Sequence, residues 1–322
     1  MRWLVTGGAG YIGQHVVRAM IGSGHEVVVL DDLSSGRADL LPVGVELVTA
    51  SVLDEPAVAA ALGTGRATGV IHLAGLKAAD ESVDKPLEYY QVNTAGTVSL
   101  LRAMVASGAK TLLFSSSAAV YGDASTGTVT EASPTEPINP YGRSKLMGEQ
   151  VIADAARAHG LSWVALRYFN VAGAGGSDLV ERAGRNLIPR ALRAVQSGAS
   201  PVVYGQDYPT LDGTCVRDYV HVEDLADAHL VAAEHAAGGE RGQVFNVGCG
   251  RGASVLEVME CVRRVTGSDL LPQIVGRRAG DPALVVADVT EIKRTLGWSS
   301  RRDLNDMVTS TWEGLSASSP TR

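Results

Sequence analysis

"TGGAGYIG" fills residues 6–13, directly behind the apolar run Trp3-Leu4-Val5. Glycine loses more backbone freedom on ordering than any other residue, so glycines at 7, 8, 10 and 13 need a physical reason. The flanks supply one. Arg2–Thr6 reads as a buried strand, and beyond the glycines Ile12, Val16, Val17, Met20 and Ile21 recur at helical spacing. Gly22 and Gly24 close that helix. "HEVVVLDD" (25–32) is the next strand, with Asp31 at its end. Strand, glycine turn, helix, strand is the context of a dinucleotide-binding fingerprint. Gly7 permits the tight turn, Gly10 lets a pyrophosphate approach the backbone, and Gly13 lets helix and strand pack closely. Helix-end amides, at Tyr11 and Ile12, then face the phosphate charge. Asp31 lies 18 positions beyond Gly13 with no arginine directly after it. A carboxylate there accepts both ribose hydroxyls and repels a 2′-phosphate, which favours NAD over NADP; the bland alternative is a turn aspartate.

More such units follow. "VELVTA" (45–50), "TGVIHLAG" (68–75) and "KTLLFSSS" (110–117) read as strands, "EPAVAAAL" (55–62) as a helix, and "PLEYYQVNTAGTVSLLRAMVASG" (86–108) as one long helix. "RYFNVAG" (167–173) is expected to close the last main strand. Alternation of this kind predicts an α/β fold, a Rossmann-type doubly wound parallel sheet with helices on both faces. Ligands gather at the carboxyl ends of such strands, where Ala74, Gly75, Lys77, Ser115 and Ser117 fall.

"NPYGRSKLMGEQ" (139–150) carries the chemistry. Pro140 suits a first helical turn, so Tyr141 and Lys145, four apart, share one helix face. A free tyrosine titrates near pH ~10, too high for a base at neutral pH. The Lys145 ammonium and the positive nicotinamide of NAD are expected to pull that phenol down. Lys145 can also hold the nicotinamide ribose, and Ser117 can bond the same substrate hydroxyl. Taken alone, Tyr-x-x-x-Lys is more often a surface pair; the glycine turn and the serines reverse that reading to chemistry.

Bulk properties set the frame. The 322 residues suit two domains, or one large α/β unit with an appendage, 45% are hydrophobic and 20% charged, and the net charge of −7 argues mildly against a nucleic-acid or acidic-membrane partner. Cys215, Cys249 and Cys261 form no metal-like or paired spacing, as expected of free thiols in a reducing cytoplasm. A strand from residue 2 leaves no room for a signal peptide, and no apolar run reaches ~18 residues. No metal is expected: His221 and His229 flank "VEDLADA" at no ligand spacing, and His72 should be satisfied locally. Val255, Val258 and Met259 read as core, and "SASSPTR" (316–322) as disordered.

The chain resembles the extended short-chain dehydrogenase/reductases, and within them the UDP-hexose 4-epimerase family. The matching stretches are "VTGGAGYIG", "LDDLSSG", "HLAGLKA", "ESVDKPLEYYQVNTAGT", "FSSSAAVYGD", "YGRSKLMGEQ", "LRYFN", "YGQDYPTLDGTCVRDYVHVEDLADAH" and "NVGCGRGASVLEV". The resemblance implies an NAD-binding domain over 1–170 and a smaller α/β UDP-sugar domain over 171–322, partly interleaved. It implies inversion of C4 of a UDP-hexose through a transient 4-keto sugar, with Ser117, Tyr141 and Lys145 catalytic. Ser51, Val52, Leu73, Asn93 and Tyr168 join Gly7, Gly10, Tyr11, Ile12, Gly13, Asp31, Ala74, Gly75, Lys77, Ser115, Tyr141 and Lys145 toward NAD. Asn170, Asn186, Leu187, Val202, Tyr204, Arg217, Arg278, Asp281 and Val285 join Ser117 and Tyr141 toward the UDP-sugar. A homodimer through helices near 86–108 and 140–158 is also implied.

Three departures stand out. Ala50-Ser51-Val52 lacks the family's aspartate near adenine. The loop "AGAGGSDLVERAGRNLIP" (172–189) is short, with Arg185 in place of an asparagine. Val285 replaces a tyrosine that narrows the sugar pocket, so N-acetylated UDP-hexoses are expected to be tolerated. A nucleotide-sugar 4-ketoreductase or dehydratase, and a non-catalytic nucleotide sensor, remain the alternatives.

Overall fold

The computed structural model describes residues 1–63, 66–123, 127–182, 184, 186–239, 241–278 and 281–317. Along the chain run β1 (Arg2–Thr6), β2 (Glu26–Asp31), β3 (Glu46–Thr49), β4 (Gly69–His72), β5 (Thr111–Ser117), β6 (Thr128–Val129) and β7 (Ser162–Tyr168). Then come β8 (Asn170–Ala172), β9 (Val202–Tyr204), β10 (Val216–His221), β11 (Arg241–Val247), β12 (Gly252–Ser254), β13 (Gln273–Val275) and β14 (Leu284–Ala287). They belong to two compact units: Met1–Gly122, Thr135–Arg167 and Ala226–Phe245 form the first, and Asp123–Pro134, Tyr168–Leu225 and Asn246–Arg322 the second.

The first unit is built on a seven-stranded sheet in the order β11-β7-β5-β4-β1-β2-β3. β1 runs parallel to both neighbours, Val5 opposing Val29 on one side and Ile71 on the other. Strand order reverses at β1, which makes the switch point expected of a doubly wound sheet and opens a crevice beyond its carboxyl end. Helices cover the central strands, so these read as unbroken apolar runs and every residue of β4 and β5 is buried. Leu4, Val28, Val70, Leu112 and Phe114 pack with Leu100 and Met104 into one core. Each such side chain contributes about 1.5–3 kcal/mol, and Leu112→Ala would cost about 2–5 kcal/mol.

Local sequence explains the helices that carry the site. Helix Tyr11–Gly22 buries Val16, Val17 and Met20, whereas Ile21, expected on the same face, is exposed. Helix Pro140–His159 starts where the Asn139 side chain accepts from Gly142 N–H at 2.9 Å, has Pro140 in its first turn, and stops at Gly160 with φ 65°. A Cβ on Gly148 would sit 2.7 Å from the Phe114 ring, so that glycine sets how closely the helix lies on β5.

Two expectations need correction. The helix expected over 86–108 is not uniform: Pro86–Tyr89 and Gly96–Ser107 are ordinary helix, but Tyr90–Ala95 widens into a turn with i→i+5 bonding. Widened turns of this kind recur at functional sites, and this one carries Asn93. β7 is also not the last main strand. After it β8 joins another sheet, and β11, far along the chain, completes the first one. The pairing is long-range, so local periodicity could not show it.

The second unit has its own sheets. β10 lies between antiparallel β12 and parallel β14, β14 pairs β6, and β8 pairs β10 further along. β9 and β13 form a separate parallel pair. Helix Val255–Thr266 begins with a capping box between Ser254 and Glu257 and buries Val258 and Met259, while Val255 is partly buried. Ser316 and Ala317 end a helix rather than a disordered tail; residues 318–322, like Arg185, lie outside the described residues.

Candidate functional site

The glycine turn is shaped for close approach. Gly7 has φ 72°, and a Cβ there would meet the Ala74 backbone at 2.6 Å. A Cβ on Gly13 would lie 2.2 Å from the Gly7 carbonyl, so helix and turn are in direct contact. A Cβ on Gly8, too, would meet the Val29 side chain at 2.8 Å. The helix that follows has no side-chain cap and no acidic residue in its first turn. Its leading amides, at Tyr11, Ile12 and Gly13, fit a pyrophosphate. Lys77 Nζ lies 6.0 Å from the Tyr11 ring centroid, bringing two further candidates together.

Asp31 is buried at the end of β2, where Oδ2 accepts from Ala9 N–H (3.0 Å) and Oδ1 from Leu33 N–H (2.9 Å). A carboxylate has about four acceptor sites, so capacity for two ribose hydroxyls remains. Burial pushes the Asp31 carboxyl up and those two amides pull it down. Ser51 accepts from Leu53 N–H at 3.2 Å, and Val52 is buried against Gly96, so the adenine end offers a small hydroxyl and an apolar wall. These features, an uncapped helix end and a fixed carboxylate, fit NAD.

Asn93 organises the loop after β4. Its Oδ1 accepts from Leu76 N–H (2.8 Å), and its Nδ2 donates to Leu76 O (3.0 Å) and Ser144 Oγ (2.9 Å). A Cβ on Gly75 would lie 2.9 Å from Asn93 Oδ1 and 3.5 Å from Lys145 Nζ, so Leu73, Ala74 and Gly75 run past both. Tyr89, absent from the expectations, bonds both the N–H and the carbonyl of Ala78 and meets the Tyr141 ring edge-on at 6.4 Å.

Ser117, Tyr141 and Lys145 are all buried. The Ser117 side chain neighbours the Tyr141 phenol. Lys145 Nζ donates to the Ser115 carbonyl at 2.9 Å and lies 5.2 Å from the Phe114 ring centroid. Burial pushes the Lys145 ammonium down to about 8, opposed by Glu149. The expectation that Lys145 lowers the Tyr141 phenol is corrected. Burial raises that phenol, and the opposing influence is the Ser117 side chain. Among the chain's own groups, then, the neutral phenol is favoured.

A polar layer beneath these groups escaped the sequence reading. Arg167 grips Glu149 with two bonds, Nε to Oε1 (2.9 Å) and Nη2 to Oε2 (2.6 Å), and also donates to Tyr121 OH (3.1 Å). Ser116 donates to the same Glu149. Ser115 Oγ meets His229 Nε2 at 2.9 Å, so the carbonyl and hydroxyl of Ser115 are both fixed. His229 is structural in this sense, as is His221, whose Nε2 meets Ser310 Oγ at 3.1 Å. No metal-holding group of three or more His, Cys, Asp or Glu occurs among the described residues.

The remaining candidates lie in the second unit, beginning with Tyr168 at the end of β7. Asn170 Nδ2 donates to Asp218 O at 3.0 Å. Arg217 and Val285 oppose each other in β10 and β14, and Arg217 Nη2 lies 3.9 Å from Asp281 Oδ1. Val202 and Tyr204 bound β9, whose partner is β13. The Arg278 guanidinium sits 4.3 Å from the Tyr204 ring centroid, and Arg190, not foreseen, donates to Tyr204 OH at 3.4 Å. Both arginines hold the Tyr204 phenol below its usual range. Asn186 and Leu187 form the start of helix Leu187–Gln196.

Comparison with known proteins follows the same lines. Residues 3–248 match the model of the NAD dependent epimerase/dehydratase family. The UDP-glucose 4-epimerase of Azospirillum brasilense is 45% identical over 314 residues, covering 95% of this chain and 89% of that protein. A UDP-glucose-4-epimerase from Stenotrophomonas maltophila, solved with bound NAD and formylated UDP-arabinopyranose, superposes with a TM-score of 0.94 at 40% identity over 98% of each chain. A UDP-Glc/GlcNAc 4-epimerase from Campylobacter jejuni gives a TM-score of 0.86 at 37% identity, over 97% of this chain and 98% of that one.

Proposed function

The chain belongs to the NAD dependent epimerase/dehydratase family, in its UDP-glucose 4-epimerase branch, and we propose that it inverts C4 of a UDP-hexose through a transient 4-keto sugar. The observation that carries this reading is the buried pair Tyr141 and Lys145, one turn apart on helix Pro140–His159, with the Ser117 side chain beside the phenol. Tyr141 takes the proton from the sugar 4-hydroxyl and later returns it. Ser117 bonds the same oxygen and keeps it in line with the phenol. Lys145, with one of its three N–H donors on Ser115, has two left for a ribose. When bound, NAD supplies the hydride acceptor and donor for C4, and in its oxidised form a positive ring charge that favours the Tyr141 phenolate. Gly7, Gly10, Tyr11, Ile12, Gly13 and Asp31 hold its phosphates and ribose, with Ser51, Val52, Leu73, Ala74, Gly75, Lys77, Asn93, Ser115 and Tyr168 around its remaining parts. Arg217, Arg278 and Asp281 clamp the diphosphate and uridine ribose, helped by Asn170, Asn186, Leu187, Val202 and Tyr204. A firm grip on UDP leaves the hexose free to turn and present its other face.

Valine at 285 leaves more room than tyrosine, which supports acceptance of N-acetylated UDP-hexoses as well. A homodimer through the helical faces near 86–108 and 140–158 is supported by exposed Leu87 and Met147. Three free cysteines suit a reducing, cytoplasmic setting, and no helix among the described residues is long and apolar enough to cross a membrane. The test is incubation of purified protein with UDP-galactose and no added cofactor. UDP-glucose should accumulate to an equilibrium mixture. Stoichiometric demand for NADH, or a lasting keto-deoxy product, would assign the chain to the reductases or dehydratases instead.

A further inference from the structure

His72 ends β4 and is 1% exposed, with no direct part in the chemistry described above. Its Nδ1 lies 2.7 Å from Thr6 Oγ1 and its Nε2 3.2 Å from Thr97 Oγ1. The neighbours fix where its proton sits. The Thr97 hydroxyl donates to the Asn93 carbonyl at 2.6 Å. Its only hydrogen is spent there, so toward His72 it can only accept. Nε2 therefore carries the imidazole proton. Burial, and next the positive charge of Lys145, push this histidine down to about 3, so the ring is neutral and Nδ1 is bare. Nδ1 then accepts from the Thr6 hydroxyl, whose oxygen in turn accepts from Ala74 N–H in a long contact of 3.4 Å.

The result is a one-directional chain of hydrogen bonds, from the Ala74 amide through the Thr6 hydroxyl, the His72 ring and the Thr97 hydroxyl to the Asn93 carbonyl, which accepts. Each end lands on a cofactor-facing segment. Thr6 immediately precedes the glycine turn. Ala74 lies in the loop after β4, together with Gly75 and Lys77. Asn93 sits in the widened turn and holds Leu76 and Ser144 with its own side chain.

We propose that His72, as the neutral Nε2–H tautomer, is a positioning residue that locks the glycine turn, the 73–77 loop and the Asn93 turn into the arrangement that receives NAD. The proposal rests on the cofactor reading above. It differs from plain core packing because it needs one tautomer and acts on one ligand. Three full-length variants test it, together with wild type. His72→Phe keeps a ring against Phe114, which it meets at 5.7 Å, and removes both bonds. Thr97→Val is near-isosteric and removes the acceptor. His72→Gln restores a donor near the Nε2 position.

The readouts are NAD and UDP affinities by calorimetry and the ring ¹⁵N shifts of His72 in histidine-labelled protein. His72→Phe and Thr97→Val should each weaken NAD binding by about tenfold, the cost of stranding buried polar groups, while UDP affinity stays within about twofold. His72→Gln should recover most of the loss, and the wild-type spectrum should show a protonated Nε2 and a bare Nδ1. An Nδ1–H tautomer, unchanged NAD affinity in both disruptive variants, or equal losses for NAD and UDP would each overturn the role given to His72. Wild type that binds no NAD would overturn the cofactor reading itself, an outcome separable from the others. If His72→Phe fails to fold, Thr97→Val and the spectrum still decide.

Discussion

Lys145 and Arg278 are both cations assigned to grip a ligand, and they are held in opposite ways. Lys145 is buried on the first unit's long helix, fixed to the Ser115 carbonyl, and Ser115 and Asn93 are themselves bonded on more than one side. Arg278 is exposed in the second unit and lies against an aromatic face, with Arg190 on the same tyrosine. Stacking on a ring tolerates sliding, whereas a buried hydrogen-bond lattice does not. The contrast suits the two tasks. Proton transfer needs atoms fixed before the substrate arrives. A nucleotide handle that releases product each cycle can be assembled from adaptable, solvent-facing groups.

That contrast can be broken in several ways. Tyr141→Phe removes the proton acceptor and should lower turnover by about a thousandfold while the protein still binds NAD; residual activity near wild type would remove Tyr141 from its role. Glu149→Gln leaves the Arg167 charge buried with a weaker partner and should destabilise the first unit by about 3 kcal/mol in urea unfolding. A negligible change would mean that the buried layer is less tightly built than its distances indicate.

Acid should expose the same rigidity. His15 and His72 are held down to about 4 and about 3, largely by burial. Unfolded, each titrates near ~6.5, so below that pH the unfolded chain binds more protons than the folded one. Stability must then fall as pH drops from about 6.5 toward 4, by up to about 1.4 kcal/mol per pH unit for each histidine. His15→Gln should flatten that slope by one histidine's share, measured as denaturant midpoints at pH 7 and 5. The smallest effect belongs to the exposed cluster: Arg278→Ala should raise KM for the UDP-sugar about fivefold and leave kcat nearly unchanged, the mark of uniform binding. A large fall in kcat there would erase the distinction between the two regions.

Much of the first region was legible because its signals are local. The glycine turn, the helix behind it and Asp31 occupy residues 2–31, and Tyr141 and Lys145 are one helical turn apart. Asn139, Pro140 and Gly160 even mark the ends of their helix. What stayed hidden depends on distant partners. His72 is satisfied by Thr6, 66 positions away, and Glu149 by Arg167, 18 positions away. No periodicity carries such pairs. The direction of the Tyr141 shift was misread for a related reason: spacing reports which charges are near, but not how much water burial removes. In the second region Arg190 was missed because its partner Tyr204 is defined only once β9 is placed.

β11 has a bearing on biosynthesis. It occupies the outer side of β7 in the first unit's sheet, yet it is made 73 residues after β7 ends, behind the second unit's segments Asp123–Pro134 and Tyr168–Leu225. Until the ribosome has passed residue 247, β7 presents an uncovered row of amides and carbonyls, the kind of edge that recruits other strands. The nucleotide-binding half therefore cannot finish first and wait. Its outer strand closes only after the chain has travelled out and back, and a messenger broken anywhere in between would yield a sticky fragment rather than a smaller working protein.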